Sequence, residues 1–94
     1  LFLTALTSTA SAWKLVLTLE DRRTATMSGT FNKDCKKLDF QMSSPVTTAS
    51  FSESAWADTF ELYENTDCSG RVYRNGDGTY TVTPRFKVLA YKVY

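Results

Sequence analysis

The run Trp13-Lys14-Leu15-Val16-Leu17-Thr18-Leu19-Glu20 places Trp13, Leu15, Leu17 and Leu19 at every second position. Successive side chains of an extended chain point to opposite faces, so this spacing predicts a strand with one buried face. Leu38, Phe40 and Met42 alternate with Asp39 and Gln41 in the same way, and Tyr80 and Val82 alternate with Thr81 and Thr83. Phe60-Glu61-Leu62-Tyr63 and the run from Phe86 to Tyr94 are rich in the aromatic and β-branched residues that suit a pleated, half-buried surface. Turn-forming residues separate these runs at Ser28-Gly29, Asn32 to Asp34, Ser43-Ser44-Pro45, Ser69-Gly70 and Asn75-Gly76-Asp77-Gly78. No window sustains a helical spacing of apolar residues beyond about three turns. Short strands broken by frequent turns predict an all-β sandwich or barrel.

The pattern also recurs along the chain. Trp13 is followed by Leu19-Glu20-Asp21, Ser28-Gly29, Val46 and Ser50-Phe51, and Trp56 is followed by Tyr63-Glu64-Asn65, Ser69-Gly70, Val82 and Arg85-Phe86. Two four-strand units, each unable to bury its own face, are expected to pack face to face. The expected units run over about residues 13–55 and 56–94, within one domain, because 94 residues leave no room for a second independent core.

The segment Leu1 to Ala12 carries no charge and ends in Ala10-Ser11-Ala12, which predicts the remnant of a secretory signal peptide over residues 1–12. Secretion gives the two cysteines their meaning: in an oxidising compartment Cys35 and Cys68 are expected to pair, with only one connectivity open to them. No stretch approaches the length of about 20 apolar residues that a membrane-spanning helix requires. The net charge of +1 excludes a strong global field and gives no reason to expect nucleic acid as a partner. Charge is unevenly placed, however. Glu53, Asp58, Glu61, Glu64 and Asp67 form an acidic stretch, while Arg22, Arg23, Lys36 and Lys37, with Arg71 and Arg74, offer a possible basic binding surface interleaved with Phe31 and Phe40.

At Tyr63-Glu64-Asn65-Thr66-Asp67-Cys68-Ser69-Gly70 the chain resembles the Greek-key signature of the βγ-crystallin family, with Cys68 where that signature has its second aromatic residue. The resemblance implies a two-sheet Greek-key sandwich of about eight strands. It implies a folded hairpin in which Gly70 takes a positive φ and Tyr63 packs on the bend. Phe86-Lys87-Val88-Leu89 resembles the family's closing strand, and Ser50-Phe51 resembles the matching serine step in the first copy, where Leu19 is the nearest substitute for the corner aromatic. Gly78 lies in what reads as an ordinary turn and is expected to tolerate a side chain better than Gly70. Many members of the family bind calcium, and the nearest approach to such a site is Asp39-Phe40-Gln41-Met42-Ser43-Ser44, where Phe40 takes the place of an acidic or amide ligand. Calcium needs six to eight oxygens, so no metal or other cofactor is expected.

Histidine is absent, which excludes imidazole-activated nucleophiles and histidine-held zinc. Glu61 and Glu64 sit three apart on an expected strand and so face opposite ways, which gives no paired-carboxylate site. These readings lead away from an enzyme, and the resemblance to the βγ-crystallin family implies a secreted, monomeric binding protein of the antimicrobial, toxin or effector kind. Its expected target is an extracellular protein, a cell wall or a membrane surface. Inhibition of extracellular proteases, and a calcium-binding or structural role, are the alternatives. Tyr73, Tyr80, Tyr91, Tyr94, Trp13 and Trp56 are expected mostly in the core, and any exposed together would mark a partner-binding patch.

Overall fold

The computed structural model describes residues 12–39, 42–70 and 72–94, so the expected signal-peptide remnant lies outside the described residues except for Ala12. All regular structure among them is strand: β1 (Trp13–Leu19), β2 (Thr24–Gly29), β3 (Lys33–Lys37), β4 (Val46–Ser52), β5 (Phe60–Tyr63), β6 (Val72–Asn75), β7 (Gly78–Phe86) and β8 (Ala90–Val93). They form two four-stranded antiparallel sheets, ordered β2-β1-β4-β7 and β3-β8-β5-β6. Each sheet therefore holds three strands from one half of the chain and the third strand of the other half. Neither half completes a sheet alone, and the exchange of β3 and β7 interlocks the two Greek-key units into one sandwich.

Alternation along β1 sends Trp13, Leu15, Leu17 and Leu19 inward, each between 0% and 4% exposed. Ala49, Phe51 and Val82 join them from the same sheet, and Phe60, Leu62, Tyr91 and Val93 close the core from the other. Trp13 ties the layers together: its ring lies 6.5 Å from Phe51 and 6.3 Å from Tyr91, and its indole N–H donates to the Phe31 carbonyl at 2.8 Å. A Cβ on Gly29, its register partner, would stand 2.9 Å from the indole, so the glycine is what lets β2 approach this ring.

The disulfide joins Cys35 on edge strand β3 to Cys68 in the β5–β6 hairpin, with Cα atoms 5.8 Å apart. β3 needs that tether. Its five residues, Lys33–Lys37, bury almost nothing, and the backbone ladder to β8 and the disulfide are its main ties to the sheet.

Several sequence expectations are corrected here. Leu38 and Met42 are buried but belong to the β3–β4 connection rather than a strand; Phe40 and Gln41 lie outside the described residues. β3 instead occupies the stretch read as a turn at Asn32 to Asp34. Phe86 ends β7, and the closing strand β8 starts at Ala90, after a connection over residues 87–89. The matched residues of the repeat are not structurally equivalent, although the strand units are: Trp13 is buried in β1 while Trp56 lies exposed before β5, and Gly29 ends β2 while Gly70 precedes β6.

Gly70 has the expected positive φ, +82°, and a Cβ there would come within 2.6 Å of the Asn65 amide and 2.8 Å of Glu64. Gly70→Val is expected to cost about 2 kcal/mol in urea unfolding, mostly from the left-handed backbone. Gly78 is not the tolerant control that its sequence suggests. Its φ is +132° and a Cβ would stand 2.9 Å from the Tyr80 hydroxyl, so Gly78→Val should be destabilising too.

Candidate functional site

The strand order brings three sheet-crossing connections to one end of the sandwich: β2–β3 (30–32), β4–β5 (53–59) and β6–β7 (76–77), with Tyr94 following β8 beside them. Phe31 and Trp56 stand on the first two. They are 67% and 60% exposed, the highest values among the described large hydrophobic residues, and their ring centroids lie 6.0 Å apart. Large apolar rings at that exposure forgo the burial free energy of about 25 cal/mol per Å².

Local structure holds both rings out. The Ser54 amide donates to the Ala57 carbonyl at 2.9 Å, and the Ser54 hydroxyl accepts the amides of Trp56 and Ala57 at 3.2 and 3.1 Å. This serine turn buries Ala57 and leaves Trp56 facing outward. The Asp77 carboxylate accepts the Glu53 amide at 2.8 Å, and the Tyr80 hydroxyl donates to the Asp77 carbonyl at 2.5 Å, so the neighbouring turn braces the connection. The Asn75-Gly76-Asp77-Gly78 turn is thereby a structural brace. Phe31 is positioned through its own carbonyl, the acceptor of the buried Trp13 indole.

Beside this end, the outer face of the second sheet carries a row of alternating charge. Glu61 on β5 pairs across the ladder with Lys92 on β8 and Arg74 on β6, and Lys92 reaches Asp34 on β3 at 4.0 Å. Two tyrosines clamp Glu61: the Tyr63 and Tyr94 hydroxyls each donate to one of its carboxylate oxygens. Tyr63 shares this outer face with Glu61 yet is only 8% exposed, and the Lys92 ammonium lies 5.7 Å from its ring centre. Asn32, Lys33, Asp34, Glu61, Lys92, Val93 and Tyr94 line an open cleft of about 380 Å³.

Partial burial pushes the Glu61 carboxyl up, but the two tyrosine hydroxyls and the charges of Lys92 and Arg74 outweigh it and hold the group below its ordinary value. Tyr63 is pushed up to about 12 by burial, by its hydrogen bond to Glu61 and by the Glu61 charge. A phenol raised above its unfolded value of 10.0 stabilises the fold fully below that pH and loses the contribution as pH rises to about 12. Stability is therefore expected to fall between pH 10 and 12, and a series of urea titrations over that window should show a shallower fall for Tyr63→Phe.

The structure does not gather the basic residues into one surface. Arg22 and Arg23 sit at the β1–β2 turn of the first sheet. Lys36 and Lys37 lie on β3 and Arg74 on β6, the two opposite edges of the second sheet, about 14 Å apart at ordinary strand spacing. Arg71 lies outside the described residues. Arg23 is paired with Asp21 at 2.9 Å and Lys36 with Asp39 at 3.5 Å. Ser50 does not fix the first hairpin: its hydroxyl meets that of Thr79 at 3.0 Å. Ser43 and Ser44 take that role, Ser43 donating to the Asp21 carboxylate at 3.0 Å and Ser44 accepting the Asp21 amide at 3.4 Å. Both serines of the calcium-like stretch are thus engaged with Asp21, Ser43 at the carboxylate that Arg23 already neutralises and Ser44 at the backbone amide. Leu19 is in the core, and Arg22 closes this short turn at φ 75°.

Sequence reasoning missed the pairing of Phe31 with Trp56 and the clamp on Glu61. A signal was present for the first: Phe31 sits in a turn-rich stretch, and Trp56 lies between Ser54 and Asp58 in the acidic stretch, where a core residue would be unusual. The clamp joins β5 to the residue after β8 and depends on a register that no local pattern encodes. Comparison with known proteins finds no match for the chain among protein-family models, curated proteins or solved structures, and the functional reading rests on the site itself.

Proposed function

We propose that this chain is a secreted, non-enzymatic binding domain of the antimicrobial, toxin or effector kind, which engages an extracellular target through the end that carries Phe31 and Trp56. The observation that carries the reading is this exposed aromatic pair on braced turns. Rigid aromatic residues lose little side-chain entropy on binding, and such anchors dominate interface energetics. The Cys35–Cys68 disulfide supports an extracellular setting. The interlocked four-strand units and the positive φ of Gly70 support a βγ-crystallin-like domain. Among the described residues no helix is long and apolar enough to cross a membrane.

Retention of the protein on cell-wall, membrane and extracellular-protein fractions tests the reading. One fraction should retain it. Trp56→Ala should weaken that retention at least tenfold, as removing an interface anchor does, with an unchanged melting temperature because Trp56 contributes little to the core. Equal retention of Trp56→Ala and the parent would overturn the proposal. One feature favours protease inhibition as a second reading: the 53–59 connection is exposed and braced. Its 54–57 turn folds back on itself, whereas a protease cleft takes an extended segment, and an inhibition assay against extracellular proteases separates the two.

A further inference from the structure

Resting on the proposed binding role of this end, its chemistry points to what is bound. Asn32, which lines the cleft, adjoins Phe31 in sequence. Tyr94, at the cleft's other side, exchanges backbone hydrogen bonds with Thr59 at 2.7 and 2.9 Å and accepts the Asp58 amide at 2.9 Å, two residues on from Trp56. The aromatic pair and the cleft thus belong to one surface.

We propose that the ligand is an uncharged oligosaccharide or polysaccharide, whose sugar rings stack on Trp56 and Phe31 and whose hydroxyls bond in the adjoining cleft. A sugar ring presents faces of C–H groups, which suit the electron-rich face of an indole or phenyl ring, and an edge of hydroxyls that both donate and accept. The rings here are tilted by 47°, so they offer two separate stacking faces rather than one flat plate. The cleft offers the rest. Asn32 and Tyr94 are neutral polar groups, Lys33 and Lys92 donate, and Asp34 and Glu61 accept.

Charge balance selects an uncharged partner. The two cations and two anions of the cleft cancel, and Lys92 already reaches Asp34 at 4.0 Å while Glu61 is occupied by its two tyrosines. A polyanion would find no surplus of positive charge. An anionic membrane would also meet Glu53 and Asp58, which border the Trp56 turn. The centre of a protein interface seals its anchors within further packed surface; here Phe31 is followed directly by Asn32, a residue that lines the hydrogen-bonding cleft.

The test is co-sedimentation of the full chain with insoluble chitin, cellulose and a β-1,3-glucan, in parallel with pectate, phosphatidylserine vesicles and immobilised extracellular protein. Binding to at least one neutral polysaccharide is expected. Soluble oligomers of that polysaccharide should shift tryptophan emission, which reports Trp56 because Trp13 is fully buried. Trp56→Ala should weaken binding at least tenfold and abolish the shift, and Asn32→Ala should weaken it about threefold, with melting temperatures unchanged. Neutral-polysaccharide binding that Trp56→Ala leaves intact would overturn the inference, as would binding to none of these polysaccharides. If the vesicles or the protein instead capture the chain in a Trp56-dependent way, the sugar assignment falls and the aromatic binding surface stands. If Trp56→Ala alters no capture at all, both fall.

Discussion

Trp13→Ala is expected to lower the unfolding free energy by about 3 to 5 kcal/mol, the range for deleting a large buried aromatic side chain. That is a substantial share of the 5 to 15 kcal/mol typical of a whole domain. The side chain is 0% exposed and lies between Phe51 of one sheet and Tyr91 of the other, so its loss opens a cavity across both layers. Its indole N–H is also the donor to the Phe31 carbonyl, and the substitution therefore reaches the end that carries the exposed aromatic pair. Trp13→Phe restores part of the ring volume but not this bond, and should fall between Ala and the parent. Equilibrium urea unfolding measures all three; a loss below about 1 kcal/mol for Trp13→Ala would show that the two sheets do not depend on this residue.

Removing the Cys35–Cys68 bond is the second large effect. The bond spans 33 positions of chain, and closing a loop of that size stabilises a domain by about 3 to 4 kcal/mol in the chain-entropy picture. The loss has a place as well as a size. β3 buries little of its own surface, so the reduced protein should lose the β3–β8 ladder first, with the amides of β3 exchanging ahead of those in β1 and β4. Reduction followed by urea unfolding gives the magnitude, and hydrogen exchange gives the order. Titration of the denatured, unreduced protein should find no free thiol; two per chain would contradict the bond.

The strands that were legible in the sequence are those whose burial repeats every second residue. β1 reads from Trp13 to Leu19 because each inward position is large and apolar, the middle of β7 reads from the same alternation at Tyr80 and Val82, and β5 reads from its aromatic and apolar content. β3 and β6 were not legible. Lys33–Lys37 and Val72–Asn75 are edge strands of half-exposed or exposed residues, held by backbone ladders and, for β3, by a disulfide, and neither leaves a hydrophobic alternation to detect. Leu38 and Met42 misled in the opposite direction: both are buried, but they lie outside the strands, between β3 and β4. The hairpin glycine was readable because positive φ restricts the residue type, and Gly70 satisfies it. The serine step expected at Ser50 does not hold the first turn, which Ser43 and Ser44 hold instead through Asp21. The aromatic site is a property of the fold: Phe31 and Trp56 lie 25 positions apart and meet only because two sheet crossings share one end.

Which end of the sandwich binds is the central question, and chemical-shift mapping answers it directly. The labelled protein would be titrated with whichever fraction or ligand retains it. Shift changes should cluster at residues 30–34, 53–59, 77 and 92–94, with Trp56 Nε1 among the largest, and should leave Arg22 and Arg23 undisturbed. Changes centred on the β1–β2 turn at Arg22 and Arg23, with the Trp56 indole unmoved, would contradict the assignment and return the basic residues as the binding surface.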